Sequence, residues 1–359
     1  MILSDDVGSF PIAEIDGEAL TKEQIGEIGL KILTQEATPA QRAKFTSINE
    51  IIIKNKILSG IDVIVYPQIQ DMILEFFTPM EKFSDEPYIV KDRYARIPEV
   101  DATASIIEIN RKSWGIEQQK IKVCVTGPLE LYIKTMGLNV EGDLLKNYSE
   151  SIGKFIKNTT LNLPYIKTKS ISIDEPSLGI NTGIVYESDD LIDAWNNALK
   201  PLKSTAFQDI DVQIHLHSSN CADIVYETEG IDVIGVESAE DPDLLDYFTR
   251  CDLEQYDKFL RVGISRSNIF GIAADFKDKT GIDVWRNNSN ENLFLEMVNN
   301  METPGIIYKR LEDAYEVFGD RIKYAGPDCG LGAWNCADSA RQLLKNTADA
   351  VKKFNMNSA

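Results

Sequence analysis

Two histidines, His215 and His217, are the only ones in the 359-residue chain, and they stand one residue apart in Gln213-Ile-His-Leu-His-Ser-Ser219. The apolar run before them predicts a strand from Val212 to His217. Side chains alternate between the two faces of a strand, so both imidazoles point to the same side. Neutral imidazole is the commonest metal ligand, which makes the pair a candidate metal-binding motif. A polar strand end whose histidines bond to the backbone is an equally open interpretation of this motif alone.

Eight apolar runs with helical patterns between them predict eight strands. They begin near Ile2, Ile61, Ile121, Ser170, Val212, Asp232, Phe259 and Ile322. A strand followed by a helix, repeated eight times, closes into a (β/α)8 barrel of the triosephosphate-isomerase (TIM) type. A doubly wound open sheet is the alternative, but it typically needs fewer strands. We therefore expect an α/β TIM barrel that forms one domain over residues 1–359.

The segments between the predicted strands are partly helical in pattern and partly irregular. Helical patterns cover residues 21–58, 70–77, 142–162, 189–202 and 339–354. Residues 79–118 predict an irregular excursion or an added hairpin. The insertion 266–306, after the seventh strand, is long enough to be functional. Two interpretations of this insertion remain: a lid over the site, or a solvated insertion with a short helix from Leu293 to Asn300.

Polar side chains at the strand ends are the candidates for chemistry, because barrels of this type build their active sites there. These residues are Ser9, Gln68, Thr126, Asp174, Glu175, His215, His217, Glu237, Ser265 and Cys329. Imidazole, carboxylate and thiolate ligands together favour zinc, whereas magnesium and calcium prefer oxygen ligands alone. Glu237 has an alternative role as an ion-pair partner, and Cys329 as a small buried side chain. Their joint occurrence predicts a zinc site.

Asp174 and Glu175 are adjacent carboxylates at a predicted strand end, just before Pro176. The proline ends the hydrogen-bonded ladder, and neighbouring side chains face different directions. One carboxylate is then available for a substrate ammonium group while the other orients a ligand or balances charge. Both are candidate catalytic residues. The alternative is a helix N-cap followed by a first-turn acid.

Composition excludes several classes of function. The net charge is −20, and no run of Lys and Arg forms a basic patch, so we expect no nucleic-acid partner. The five cysteines are 124, 221, 251, 329 and 336, and their odd number and wide spacing indicate a reducing compartment rather than a disulfide framework. The N-terminal residues do not form a signal peptide, and no window is long enough to span a membrane. We expect a cytoplasmic protein with no membrane partner.

The motifs at the strand ends resemble those of a known family. They are Asp6-Val-Gly-Ser-Phe-Pro11, Thr126-Gly-Pro128, Ile173-Asp-Glu-Pro-Ser-Leu178, His215-x-His217, Val236-Glu-Ser238 and Gly326-Pro-Asp-Cys-Gly-Leu331. With these motifs, nearly the whole chain resembles the catalytic C-terminal half of cobalamin-independent methionine synthase, in its short, archaeal-type, single-barrel form.

The resemblance implies zinc-assisted methyl transfer to the thiol of homocysteine, which gives methionine. The family's zinc ligands are His, Cys, Glu and Cys. His215, Glu237 and Cys329 match three of these positions, and His217 stands at the second, where the family has Cys. The exchange removes one anionic ligand, so we expect a bound thiol that deprotonates more easily and attacks less strongly.

The resemblance also implies a substrate site. Homocysteine would be held by the segment Val7, Gly8 and Ser9 and by Asp174, and Gln68 aligns with a family glutamate. Glutamine offers a hydrogen bond but no charge to an ammonium group. Another thiol, such as coenzyme M, is therefore an alternative substrate.

The methyl donor is implied only indirectly. Long members of the family carry an extra N-terminal barrel and use a methyl-folate, and this sequence shows no counterpart of that barrel. The short forms imply a methyl-corrinoid, free or on a partner protein. Two other classes remain open: a metal-free barrel resembling uroporphyrinogen decarboxylase, and a non-catalytic corrinoid-partner or scaffold protein.

Overall fold

The computed structural model describes residues 1–12, 14, 19–204, 207, 209–286 and 291–358. Within this part of the chain, eight parallel strands form one sheet. They are β1 (Leu3–Ser4), β2 (Val63–Val65), β3 (Gln119–Thr126), β4 (Ile166–Asp174), β5 (Asp211–His215), β6 (Val233–Val236), β7 (Phe259–Ser265) and β8 (Ile322–Pro327). Their order is β1-β8-β7-β6-β5-β4-β3-β2, and a parallel bridge from Asp5 to Val63 brings β1 beside β2. The predicted α/β TIM barrel is confirmed.

Helices surround this barrel. They are α1 (Lys22–Leu33), α2 (Pro39–Ser59), α3 (Leu74–Lys82), α4 (Pro98–Trp114), α5 (Pro128–Met136), α6 (Gly142–Thr159), α7 (Ser188–Leu199), α8 (Ala222–Glu227), α9 (Arg250–Gln255), α10 (Ile269–Thr280), α11 (Glu291–Met301), α12 (Pro304–Phe318) and α13 (Ala337–Asn357). A short hairpin pairs Ser84–Glu86 with Ile89–Val90, and Asn162–Leu163 pairs antiparallel with β4. Short 3₁₀-helices occupy Asp92–Tyr94, Lys200–Lys203, Pro242–Tyr247 and Gly319–Arg321. None of the helices in the described residues is long and apolar enough to cross a membrane.

The pattern over residues 21–58 is two helices rather than one. Helix α1 ends at Leu33, and α2 begins at Pro39 after Thr38, whose side chain accepts a hydrogen bond from the Gln41 backbone N–H. Proline fits the first turn of a helix, where its missing N–H has no partner to lose, and it does not fit the interior. The break therefore follows from local sequence.

The prediction of an irregular excursion or an added hairpin over residues 79–118 is wrong for residues 98–114. The hairpin is present, but α4 occupies Pro98–Trp114. Its local signals are a proline in the first turn and Gly115 in the left-handed conformation after the last turn. Val100, Ile106 and Ile107 are buried on its inner face.

The insertion 266–306 forms part of the helical layer. It contains α10 and α11, whose side chains Phe276 and Met297 are fully buried. The Asn346 side chain on α13 donates to the backbone carbonyl of Glu302. The structure thus matches the insertion with its own helix, which is longer than predicted. Residues 287–290 lie outside the described residues.

The barrel interior contains a layer of ionic and polar side chains from the odd-numbered strands. Asp5 follows β1 and accepts from Lys122 Nζ of β3 at 2.7 Å and from Arg261 Nε of β7 at 2.8 Å. Gln213 of β5 completes the layer, and its Nε2 donates to Asp5 Oδ2 at 3.4 Å. Four inward side chains from alternate strands are the usual unit of TIM-barrel packing, but branched apolar residues normally fill it. The next inward residue of β5 is His215.

Candidate metal centre

Four side chains converge above this ionic layer: His215, His217, Glu237 and Cys329. One potential ligand atom of each lies within 4.8 Å of all the others. His215 lies at the end of β5, Glu237 just after β6, and Cys329 two residues after β8. His217 lies beyond β5, because the strand ends two residues before the predicted end. The C-terminal edge of the barrel thus brings together residues that are up to 114 positions apart.

The distances within the cluster suit a tetrahedral ion. Cys329 Sγ is 3.8 Å from Nε2 of both His215 and His217. Glu237 Oε1 is 3.5 Å from each of the same two nitrogens. Ligands about 2.0–2.3 Å from a tetrahedral zinc ion stand about 3.3–3.8 Å from one another. Glu237 Oε1 is also buried and has no hydrogen-bond partner within the described residues. The residues therefore fit zinc in donor type, and these four of the six ligand pairs have the spacing that a tetrahedral ion needs.

Burial shifts the pKa of His215 and of Glu237. It is the main cause that lowers the pKa of His215 well below its usual 6.5, and the nearby His217, Arg261 and Lys122 add to it, so the imidazole is neutral. A neutral imidazole is the form that binds a metal. Burial also raises the pKa of Glu237.

Cys329 has a thiol whose ionisation is disfavoured by its surroundings. Burial, and then the charge of Glu237, raise the pKa of its thiol to about 12. Without a cation the sulfur therefore keeps its proton at neutral pH. Its backbone N–H is fixed by a 3.0 Å hydrogen bond to Ser267 Oγ.

The predicted substrate segment Val7, Gly8 and Ser9 lies beside the cluster. The Ser9 carbonyl accepts from Leu331 N at 2.8 Å, and Ser9 Oγ accepts from Gly332 N at 3.1 Å. These bonds join the segment to the loop that carries Cys329. A Cβ at Gly8 would lie 1.8 Å from Oε1 of Gln68, so Gln68 packs directly on the segment.

Lys56 on α2 holds this segment through a contact with the Gly8 carbonyl, which the sequence did not predict. Its side chain is fully buried, and Nζ contacts the Gly8 carbonyl at 2.5 Å, the Val65 carbonyl at 3.0 Å and Asp6 Oδ2 at 2.6 Å. A lysine within an amphipathic helix carries no local signal for such a role.

Asp174 lies next to His215 in the register between β4 and β5. Its side chain is buried, and Oδ1 accepts from Ser172 Oγ at 2.7 Å. Burial raises the pKa of its carboxyl to about 6. Its place at the strand end is compatible with the predicted binding role.

Glu175 does not join the cluster. Its carboxylate accepts from the backbone N–H groups of Leu129 at 3.1 Å and Glu130 at 2.6 Å, and from Trp195 Nε1 at 3.0 Å. It therefore stabilises the start of α5, and a Cβ at Gly127 would overlap it. The side chain is fully buried, and burial raises its pKa to about 8. A direct catalytic role for Glu175, expected from its position after Asp174, is not supported by this placement.

Other candidates at the strand ends have structural contacts. Thr126 Oγ1 donates to the Met72 carbonyl, and Ser265 Oγ pairs with Thr347 Oγ1. Cys336 is buried just before α13 and is not part of the cluster. All five cysteines lie in the described part of the chain, and none forms a disulfide.

Comparison with known proteins shows relatives by fold only. No protein-family model and no curated protein matches the chain. The barrel is similar to a B12-independent methionine synthase from Shewanella sp. W3-18-1, solved in complex with selenomethionine, with a TM-score of 0.58 and 14% identity over 100% of this chain and 99% of that one. It is also similar to a putative vitamin-B12 independent methionine synthase from Listeria monocytogenes, with a TM-score of 0.55 and 14% identity over 98% of each chain.

Proposed function

We propose that this protein is a zinc-dependent methyltransferase that transfers a methyl group to the thiol of homocysteine, giving methionine. The observation that carries the proposal is the convergence of His215, His217, Glu237 and Cys329 within 4.8 Å at the C-terminal edge of the barrel. The likeness in fold to two structures described as methionine synthases supports it.

The four residues would hold one zinc ion per chain. When bound, zinc lowers the pKa of a thiol substrate so that the thiolate, which is the nucleophile, is present at neutral pH. His215 contributes a neutral nitrogen, and Glu237 contributes a buried oxygen with no hydrogen-bond partner in the described residues. Cys329 gives up its proton only when a cation is present.

The protein then contributes orientation. In the proposed reaction the substrate sulfur forms a bond to the methyl carbon while the bond from methyl to donor breaks, and the thiol proton leaves to solvent. Holding the two reactants in line makes such a transfer faster. Val7, Gly8 and Ser9 would line the substrate, and Asp174 would bind its ammonium group.

The donor we propose is a methyl-corrinoid that comes from outside the chain, free or on a partner protein, with a methyl-folate derivative as the alternative. This part of the proposal rests on the family resemblance alone.

Gln68 makes a thiol other than homocysteine a second candidate for the substrate. This side chain packs on Gly8, and it is neutral where the resemblance implies a carboxylate. A thiol without an ammonium group, such as coenzyme M, needs no negative charge at this point. With methylcobalamin as the donor, homocysteine turnover at least tenfold faster than coenzyme M turnover supports the first assignment, and the reverse order supports the second.

Metal content of the purified protein tests the site itself. Elemental analysis should find about one zinc per chain, and Cys329→Ser should lose it, because the thiolate, the ligand that zinc prefers over a hydroxyl and one of only two anionic ligands, is gone. Cys336→Ser is the matched control, since Cys336 is buried nearby in sequence but outside the cluster, and it should retain the metal. Native protein that takes up no zinc when supplied with it would contradict the proposed mechanism, and a metal-free barrel of the uroporphyrinogen-decarboxylase kind would then be the better hypothesis.

A further inference from the structure

The loops that carry Glu237 and Cys329 are not neighbours in the sheet. Glu237 follows β6 and Cys329 follows β8, and β7 lies between these two strands. The pairing of these strands with β7 ends at Val236 and Pro327, so it does not by itself fix the distance between the Glu237 and Cys329 side chains. Some other contact must hold the loops at a constant separation if both side chains are to bind one ion.

Asp328 supplies such a contact. Its Oδ1 accepts from the backbone N–H of Ala239 at 2.8 Å, and its Oδ2 accepts from that of Glu240, also at 2.8 Å. Its own backbone N–H donates to the carbonyl of Ser265 at 2.9 Å. The side chain is 3% exposed, so these bonds are shielded from water. One carboxylate thus joins the loop after β6 to the loop after β8.

Gly263 on β7 makes this crossing sterically possible. A Cβ on Gly263 would lie 1.8 Å from Asp328 Oδ1 and 2.9 Å from the Ser238 backbone nitrogen. Ser238 Oγ donates to the Gly263 carbonyl at 2.9 Å, which draws the loop after β6 against the same point of β7. Glycine is required here by close approach, because any side chain would fill the space that the carboxylate occupies.

We propose that Asp328 is a positioning residue, which crosses β7 at Gly263 and sets the separation of Glu237 and Cys329. Asp328 directly precedes Cys329, and its partner Ala239 stands two residues after Glu237, so few rotatable bonds separate the bridge from either ligand. The inference rests on the proposed function in one respect, namely that these two ligands bind the same ion.

Asp328→Asn is the primary test, because it keeps the size of the side chain and replaces one acceptor oxygen by an NH₂ group. That group faces a backbone N–H and is not able to accept from it. We expect zinc affinity, measured by competition with a chromophoric chelator, to fall by about 10–100-fold. Losses of this size are typical when a hydrogen-bonding residue that orients a metal ligand is removed. In cobalt-substituted protein, the charge-transfer absorption from the Cys329 thiolate should weaken or shift.

Gly263→Ala is the second variant, and it removes the crossing without changing a polar group. The added methyl group would displace Asp328, so the same loss of zinc affinity and the same change in the cobalt spectrum are expected. Circular dichroism and the thermal midpoint of each variant show whether the protein remains folded.

Asp232→Asn is the matched control. The Asp232 carboxylate also accepts from a backbone N–H of a neighbouring strand, Val212 N at 2.8 Å, but at the opposite end of β5 and β6. It should leave zinc affinity unchanged.

Amide hydrogen exchange of the native protein tests the bridge without any variant. The amides of Ala239 and Glu240 should be protected even after zinc has been removed by a chelator. Free exchange of both amides would overturn the proposal, as would zinc affinity equal to that of the native protein in Asp328→Asn and Gly263→Ala. Native protein that binds no zinc defeats the proposed function instead, and the two failures are therefore distinguishable.

Discussion

His217 differs from the other members of the cluster in its surroundings. Its side chain is 33% exposed, whereas that of His215 is 8% exposed, and it lies beyond the end of β5. Its ring nevertheless stands at 78° to the His215 ring, with Nε2 the same 3.8 Å from Cys329 Sγ. The position that the family resemblance assigns to a second cysteine thus holds an accessible imidazole.

Replacing this imidazole by a thiol is a test at the level of one residue. His217→Cys adds one negative charge to the ligand set, so we expect both the pKa of a bound thiol substrate and the methyl-transfer rate of its thiolate to rise. The measurements are the pH dependence of thiol binding and single-turnover kinetics with methylcobalamin. Unchanged values in both, with zinc content intact, would show that His217 is not a ligand.

At the scale of elements, the segment Val7, Gly8 and Ser9 is held from three sides. Lys56 of α2 contacts the Gly8 carbonyl, Gln68 after β2 packs on Gly8, and the loop after β8 bonds to Ser9. Gly8 has a φ of 140°, a backbone conformation that residues other than glycine rarely adopt. The segment is therefore a candidate for a rigid wall of the substrate site.

Gly8→Ala should disturb that wall without disturbing the metal. The new Cβ would lie 1.8 Å from Gln68 Oε1, so Gln68 must move, and we expect the KM for the thiol to rise about tenfold with zinc content unchanged. The strained backbone should cost about 1–3 kcal/mol of stability.

Gly60→Ala is the matched control for this change. Gly60 also has a positive φ, 83°, but it ends α2, and a Cβ there would meet its nearest neighbour at 3.9 Å. It should show a similar loss of stability and a normal KM. Equal KM values in the two variants would contradict a substrate role for the segment around Gly8.

At the scale of the whole molecule, the ionic layer of Asp5, Lys122, Gln213 and Arg261 ties four strands together across the barrel. Burial by itself raises the pKa of Asp5, but the charges of Arg261 and Lys122 outweigh it and hold the pKa below its usual 3.8. The ionised carboxylate is thus stabilised in the folded protein. Its contribution is fully present above about pH 3.8 and is lost as the pH falls through the lower, folded-state pKa.

Arg261→Met should therefore change both stability and its acid dependence. Removing one partner of a buried ion pair leaves charge uncompensated, and we expect a loss of about 3 kcal/mol at pH 7 in urea unfolding. Because the pKa of Asp5 is then less depressed, the further loss of stability below pH 4 should be smaller than in the native protein.

Arg286→Met, at an exposed arginine, should leave the unfolding curve unchanged and serves as the control. An acid dependence identical to that of the native protein in Arg261→Met would show that Arg261 does not stabilise ionised Asp5.

Local sequence patterns were sufficient to predict the class of fold and to name the four side chains that converge at the candidate metal centre. The alternation of apolar runs with helical patterns predicts a barrel because local periodicity depends on near neighbours only. Placing His215, Glu237 and Cys329 at strand ends was then enough to predict that they meet, since parallel strands of a barrel end at one edge. Helix α4 was also within reach of the sequence, through Pro98 and Gly115.

How these residues are held in place became visible only in the folded protein. Asp174 and Glu175 are adjacent in sequence, yet one lies at the strand end and the other stabilises the start of α5. The bridge from Asp328 across Gly263, and the contact of Lys56 with Gly8, each join residues from separate elements. Contacts of this kind depend on which side chains meet once the barrel has closed. Neither the type of a residue nor its spacing from others in the chain predicts how far apart two side chains lie in the folded protein.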